Sequence, residues 1–417
     1  MATARPAPSW GLLDSVVRLH KVGERTEPDW AVIECSETRA YVTLYNWHDR
    51  PDGTSPFRLS PFDGLELLVR VADDPPYPTA LSIRLHGDPD KDVRRGTIGG
   101  VLLADGGFVV LSSCLPDTRG SSSYIVFDAA NASLAMIRAN LSLTFLLSVT
   151  YTPLPIRRTD GGGYVLALLA SDANRKDVVC LMPSPLPFDQ PWQLKTPLFP
   201  PEKPAWFNAD EEFSSQGRAF WVSLGKGVLF CDHQDLLSSS SDNVRFSYIA
   251  LPLGCEVAFD PTFRTAGPSK YRTMRCVGDS LRFVSIEGYT TVHSRDMVLC
   301  MWTLVIPSSS SSSGDQWRKV GEICVGRLRE QEGFKNARLP THRPPTKPML
   351  SSHEDGVVYF MLSDRHKGED AAKHIYVFSV NMFTGRFVSS WRLPSSCAPH
   401  SDPQFLMGSD ILEHIKI

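Results

Sequence analysis

Gly217-Arg-Ala-Phe-Trp-Val-Ser-Leu-Gly-Lys-Gly-Val-Leu-Phe-Cys-Asp232 contains two β-rich runs, Phe220-Trp-Val222 and Val228-Leu-Phe230, separated by the turn Gly225-Lys226-Gly227. Aromatic and β-branched residues bounded by glycine predict short strands joined by a tight turn. The same phrase recurs along the chain. Gly107 leads into Phe108–Leu111, Gly163 into Tyr164–Leu168, Gly278 into Leu281–Val284 and Gly356 into Val357–Met361. A second run follows each time, at Tyr124–Asp128, Val178–Met182, Val228–Asp232, Met297–Leu304 and Ile375–Val380. Later runs such as Arg245–Leu251 and Phe387–Leu393 bring the units to three or four strands. The glycines recur at intervals of about 55 to 80 residues, the spacing of one supersecondary unit with loops of unequal length. The longest interval holds the serine tract Ser308–Ser313 and the proline-rich stretch Leu339–Pro348, neither of which packs as a central strand.

With 417 residues the chain exceeds the roughly 250–300 that one core sustains, so it is either two domains or a radially repeated fold. A sandwich is too small for five such units. A ring of antiparallel blades holds them and leaves short edges. Runs at Trp30–Cys35, Ala40–Tyr45, Leu65–Val71 and Leu81–Leu85 supply one more blade. The expectation is therefore an all-β, propeller-like fold of about six blades with three to four strands each. The alternative is two tandem β-domains dividing near Pro183–Pro204. Helical periodicity is confined to Leu13–Leu19 and Asp410–Ile417.

Forty-three Lys and Arg balance 46 Asp and Glu, for a net charge of −3, so no overall field draws the chain to a phosphate backbone. The basic cluster Lys91–Arg95 contains Asp92 and lacks the interleaved aromatics that stack on bases. The nine cysteines form no C-x-x-C pair, and most sit in apolar runs, as buried thiols do in a reducing compartment. The N-terminus lacks a signal-peptide pattern, and the longest apolar run, Leu141–Tyr151, is too short to cross a bilayer. These features predict the cytoplasm or nucleus, with no nucleic-acid or membrane partner. Nothing sets the oligomeric state.

Fragments that resemble catalytic motifs fail on spacing. Gly225-Lys226-Gly227 lacks the hydroxyl residue and leading glycine of a phosphate loop. Gly161–Gly163 is followed by a β-rich run rather than the helix of a dinucleotide fold. Asp117-Thr-Arg-Gly120 has Arg where an aspartic-protease loop needs Gly, and His353-Glu354 has no second histidine at zincin spacing. Cys231-Asp232-His233 is the most ligand-like cluster, but adjacent residues on a strand point to opposite sides. Buried Cys231 beside a turn at Asp232 is the expected arrangement. No catalytic, cofactor-binding or metal-ligating residue is assigned. Trp192 and Trp206 lie in and just beyond the proline-rich connection, and if exposed on a propeller face they would anchor a partner.

An ordered series of words carries a family resemblance: Ala219–Val222, Gly227–Asp232, Tyr248–Pro252, Gly254–Glu256, Tyr271–Gly278, Leu281–Val284, Trp302-Thr-Leu304, Trp317 and Leu339-Pro340, with Arg70–Pro76 upstream. On these the chain resembles a plant family, large in grasses, whose domain of unknown function is numbered 1618. The likeness is strongest over 219–350 and departs from the pattern at the extra Asp74 and at a missing aromatic before Leu339. It implies a β-rich body similar to the propellers that follow F-boxes, and no F-box is visible. The layout expected is a disordered 1–9, an N-terminal propeller half over 10–218, the family domain over 219–350, and a closing blade with tail over 351–417. The function expected is a non-catalytic scaffold for a protein partner or ligand. The alternative is a hydrolase with carboxylates around the propeller axis.

Overall fold

The computed structural model describes residues 11–20, 30–45, 57–62, 65–70, 79–85, 97–113, 123–138, 152–159, 161, 163–171, 176–183, 192–257, 267–289, 292–306, 317–351, 354–364, 374–393 and 406–409. The Lys91–Arg95 cluster, Asp117–Gly120, the Ser308–Ser313 tract, His353, residues 1–9 and Asp410–Ile417 lie outside them.

Six strands come first: β1 (Gly11–His20), β2 (Ala31–Val32), β3 (Glu37–Tyr45), β4 (Phe57–Phe62), β5 (Leu65–Arg70) and β6 (Thr79–Leu85). Blade 2 follows as β7 (Thr97–Asp105), β8 (Phe108–Ser113), β9 (Ser123–Asp128) and β10 (Ser133–Arg138). Blade 3 is β11 (Leu154–Arg157), β12 (Tyr164–Ser171), β13 (Asp177–Pro183) and β14 (Gln193–Leu198). Blade 4 begins with β15 (Glu211–Ser215), β16 (Arg218–Ser223) and β17 (Gly227–Asp232), then a short helix α1 (His233–Leu237). After it β18 (Asn243–Arg245) pairs with β14, and β19 (Ser247–Ala250) completes blade 4. Blade 5 is β20 (Arg272–Val277), β21 (Ser280–Glu287), β22 (Val298–Val305) and β23 (Arg318–Cys324), followed by α2 (Val325–Glu330) and α3 (Glu332–Asn336). Blade 6 is β24 (Thr346–Leu350), β25 (Val357–Asp364), β26 (His374–Asn381) and β27 (Arg386–Arg392), and β28 (Leu406–Ser409) comes last.

The sheets form a six-bladed β-propeller. Blades 2 to 6 are up-and-down antiparallel meanders. Blade 1 is assembled from both ends of the chain: β2, β5, β6 and β1 lie in that order, and β28 pairs with the first half of β1 from Gly11↔Ser409 to Asp14↔Leu406. The second half of β1 pairs with β7, and β28 packs on β24, so the ring closes through a strand near the C-terminus.

The five glycines that mark the repeat occupy the turn between the first and second strands of blades 2 to 6. All have positive φ, from +61° at Gly278 to +97° at Gly163. At Gln216–Gly217 both turn residues are left-handed, the geometry of a two-residue hairpin turn that matches strand twist.

The second and third strands of each blade are apolar on both faces because a blade stands between two neighbours. Trp221, Ala219, Leu229 and Cys231 pack with blade 3 residues such as Leu166 and Leu168. Phe220, Val222 and Val228 pack with Met274, Leu281 and Phe283 of blade 5. Phe220 stacks between Phe213 and Phe230, with centroids 5.0 and 5.7 Å away.

Three expectations are corrected. Leu13–Leu19 is a strand, because β1 sits between β6 on one side and β28 and β7 on the other, and tertiary pairing overrides its helical spacing. Ala40–Tyr45 does not enter blade 1: β3 pairs in parallel with β10, extending blade 2. Pro183–Pro204 is not a domain boundary, since it carries β14, the outer strand of blade 3, and Trp192 packs within the core shared by blades 2, 3 and 4.

Candidate functional site

In a propeller the innermost strands surround a central axis; β15 packs there against β7, β11 and β20, and the end of the ring at which β15 starts is its upper mouth. There β15 begins Glu211-Glu212. Adjacent side chains of a strand diverge, and for an inner strand the two sides face different neighbours. Glu211 reaches blade 5, where its Oε1 accepts from Thr273 Oγ1 and its Oε2 from the Met274 N–H, both at 2.9 Å. Glu212 reaches blade 3, where its Oε1 accepts from the Thr152 N–H at 3.2 Å. Asp210, just ahead, accepts from the Leu224 N–H at 2.8 Å.

Protein encloses both glutamates in part and leaves each partly exposed to solvent. That enclosure raises each carboxyl to about 7, against the hydrogen bonds that favour the anion. Burial also raises Asp210, with the Leu224 N–H opposing. Lys347 of β24 provides the positive charge that acts on Glu211, and burial lowers its own ammonium. Four blades thus meet at this mouth.

The lower end is bridged. Arg275 on β20 pairs with Asp105 at the end of β7. Blades 2 and 5 are opposite in a ring of six, so this pair spans the channel. Beside it the Gln216 Nε2 donates to the Gly278 carbonyl at 2.9 Å, linking two hairpin turns.

Trp206 is 77% exposed. It precedes Asp210 by four residues, so no more than about 14 Å of extended chain separates it from the mouth. Its carbonyl accepts from Lys226 Nζ on the turn between β16 and β17. Leu253, fully exposed, lies on the loop after β19, where the Leu251 N–H donates to the Lys226 carbonyl at 3.4 Å. Buried Arg272 fixes both supports: its Nη1 donates to the Leu224 carbonyl at 2.9 Å and the Cys255 carbonyl at 2.6 Å. An exposed indole and an exposed leucine are therefore held around one rigid turn.

Trp192, at 6% exposure, does not meet the condition set for a partner anchor. It immediately precedes β14 and packs in the core with Phe207 and Trp221. The Cys231-Asp232-His233 cluster is dispersed. Cys231 is buried, its thiol pushed well up by burial; Asp232 pairs with Arg218 at 3.0 Å; His233 Nε2 meets Ser214 Oγ at 3.1 Å. Among the described residues no group of three or more His, Cys, Asp and Glu is placed to hold a metal ion, and no helix is long and apolar enough to cross a membrane. The glutamate pair escapes a reading of the sequence because Glu211–Ser215 resembles the polar approach to a turn. Its one signal is position, a strand's length ahead of Gly217.

With this geometry in place, comparison with known proteins adds the following. Residues 221–359 match the model of a family described as Protein of unknown function (DUF1618). The DUF1618 match runs from within β16 to within β25, so it takes in blade 5 and the Arg272 anchor, and Glu211 and Trp206 precede it. A search of curated proteins finds no match. Among solved structures the chain is similar to AofleA from Arthrobotrys oligospora, seen as an arginine-to-alanine triple mutant, at 10% identity over 92% of each chain with a TM-score of 0.30. It is also similar to PorZ, an essential surface component of the type-IX secretion system of Porphyromonas gingivalis, at 11% identity over 92% of this chain and 53% of that one, with a TM-score of 0.16. At these TM-scores neither likeness carries an argument. The propeller assignment rests on the strand pairing.

Proposed function

We propose that this chain is a non-catalytic β-propeller scaffold that binds a protein partner on the upper face of blade 4, with Trp206 as the anchor. The carrying observation is the 77% exposure of an indole whose backbone is tied to the rigid Lys226 turn, with Leu253 exposed on the adjoining loop. A large exposed aromatic on an anchored stretch of backbone suits the centre of a binding hot spot. We place the protein in the cytoplasm or nucleus of a plant cell, a reading supported by cysteines that are all free among the described residues and by the resemblance of its sequence words.

The test is comparative. Quantitative purification with the wild type, Trp206→Ala, Leu253→Ser and a control at exposed Val305 should recover the same protein with wild type and control, and lose it by tenfold or more, about 1.4 kcal/mol, with Trp206→Ala. Equal recovery with all four chains would remove the upper face of blade 4 as the binding surface.

A second reading is a hydrolase using the channel carboxyls, favoured by the two glutamates raised to about 7. Both oxygens of Glu211 are already engaged by blade 5, which supports a bracing role instead. Turnover of a glycoside panel, abolished by Glu212→Gln, would favour the hydrolase.

A further inference from the structure

We propose that the connection between blades 5 and 6 is a second interaction surface, one that receives an acidic, Asp- and Glu-rich segment of a partner protein. Residues 325–343 hold five Lys and Arg against two Glu, in a chain whose 43 basic and 46 acidic residues leave it net negative. Charge is therefore sorted within the molecule rather than spread evenly over it. The connection carries α2 and α3 and enters blade 6 at the start of β24, the end at which Lys347 acts on Glu211. It leads into the upper mouth, as do the connections bearing Trp206 and Leu253, and it needs neither of those residues to bind.

Arg329 is the hub. Its Nη1 donates to Ser294 Oγ at 3.2 Å on the hairpin between β21 and β22, and its Nη2 donates to the Arg343 carbonyl at 2.5 Å just ahead of β24. Both acceptors are neutral. Burial, and after it the charge of Arg295, lowers the Arg329 guanidinium, so a second cation stands close by. Arg295 itself pairs with Glu330 at 3.1 Å, while Asp364 meets His342 at 3.3 Å and the Arg343 Nε at 3.9 Å. Those pairs occupy Glu330 and Asp364. Among the described residues no ion pair neutralises Arg327, Arg329, Lys335 or Arg338, and Arg327, Lys335 and Arg338 are exposed. The nearby acids left are Glu332 on α3 and Asp296 on the hairpin, so cations are in excess.

Arg338 adds an independent sign. It follows α3 with φ +52°, the left-handed conformation that glycine or asparagine ordinarily takes after a helix. An arginine is strained there, and its side chain makes no bond among the described residues that offsets the strain. A strained, exposed cation without an internal partner suits a contact outside the fold. Guanidinium groups grip carboxylates through paired N–H bonds. The aromatic of this segment, Phe334, is buried against Phe378 and Phe387, so the segment offers no ring for base stacking, and carboxylates fit the surface better than a nucleic-acid strand does.

Fluorescence anisotropy with a labelled peptide of repeating Glu-Gly tests the surface on the full chain. The wild type should bind it, with affinity falling as salt rises. Arg327→Glu should lose about tenfold in affinity, while Arg318→Glu, the same charge change at an exposed site at the far end of β23, should lose much less. Arg338→Gly should separate binding from folding: its urea midpoint should rise, because glycine relieves the strain, while its affinity for the peptide falls. No binding by the wild type, equal losses in the two charge reversals, Arg338→Gly binding like the wild type, or tighter wild-type binding of a labelled poly-thymidine strand than of the peptide would each overturn the proposal.

Discussion

Gly217 and Gly356 hold the same left-handed conformation, φ +75°, at equivalent turns of blades 4 and 6. Their surroundings differ. A Cβ at 217 would meet nothing within 4 Å, whereas at 356 it would lie 2.4 Å from the Phe383 ring. Gly217→Ala should therefore cost only the strain of a non-glycine residue at positive φ, about 1 kcal/mol. Gly356→Ala should cost more, because the Phe383 ring must also leave the Arg282 guanidinium that lies 5.3 Å from its centroid. Denaturant midpoints of the two variants check the order, and equal losses would show that Phe383 moves freely. At this scale the sequence reads well for glycine and poorly for charge. A glycine ahead of a β-rich run announces its own backbone requirement. Glu211 and Glu212 are two acidic residues among many until the ring supplies Thr152, Thr273 and Lys347 as neighbours.

Among the elements, the second and third strands of blades 2 to 6 are legible because neighbouring blades bury both of their faces, leaving continuous apolar runs such as Val357–Met361. The innermost strands are not. β15 reads Glu-Glu-Phe-Ser-Ser, polar because it lines a channel, and it looks like a loop. Blade 1 is hidden for another reason: β1 pairs with β6 in parallel and with β28 almost 400 residues away, and no local pattern encodes such partners. The hairpin of β3 and β4 joins blade 2 by the same kind of distant parallel pairing. A chain ending at residue 405 lacks β28 and leaves the first half of β1 with an unpaired edge. Its melting temperature should fall by several degrees, with faster exchange of the β1 amides. An unchanged melting curve would mean that the ring does not depend on this closure.

The whole ring brings together residues that share nothing in sequence. Asp105 and Arg275, 170 positions apart, meet across the channel because blades 2 and 5 are opposite. A double-mutant cycle of Asp105→Asn and Arg275→Met should give a coupling of about 1 kcal/mol, the upper end for a partly exposed pair. Coupling near zero would show that the pair is a solvated contact rather than a strut. The sequence by itself determined the strand-rich class and the repeat marked by five glycines, because these follow from local backbone demands and two-sided burial. Only the tertiary structure decided that Trp192 is buried while Trp206 is exposed, that blade 1 is built from both ends of the chain, and that two adjacent glutamates face different blades at the channel mouth. Exposure, ring closure and carboxyl environment depend on which distant segments become neighbours, and only folding sets that.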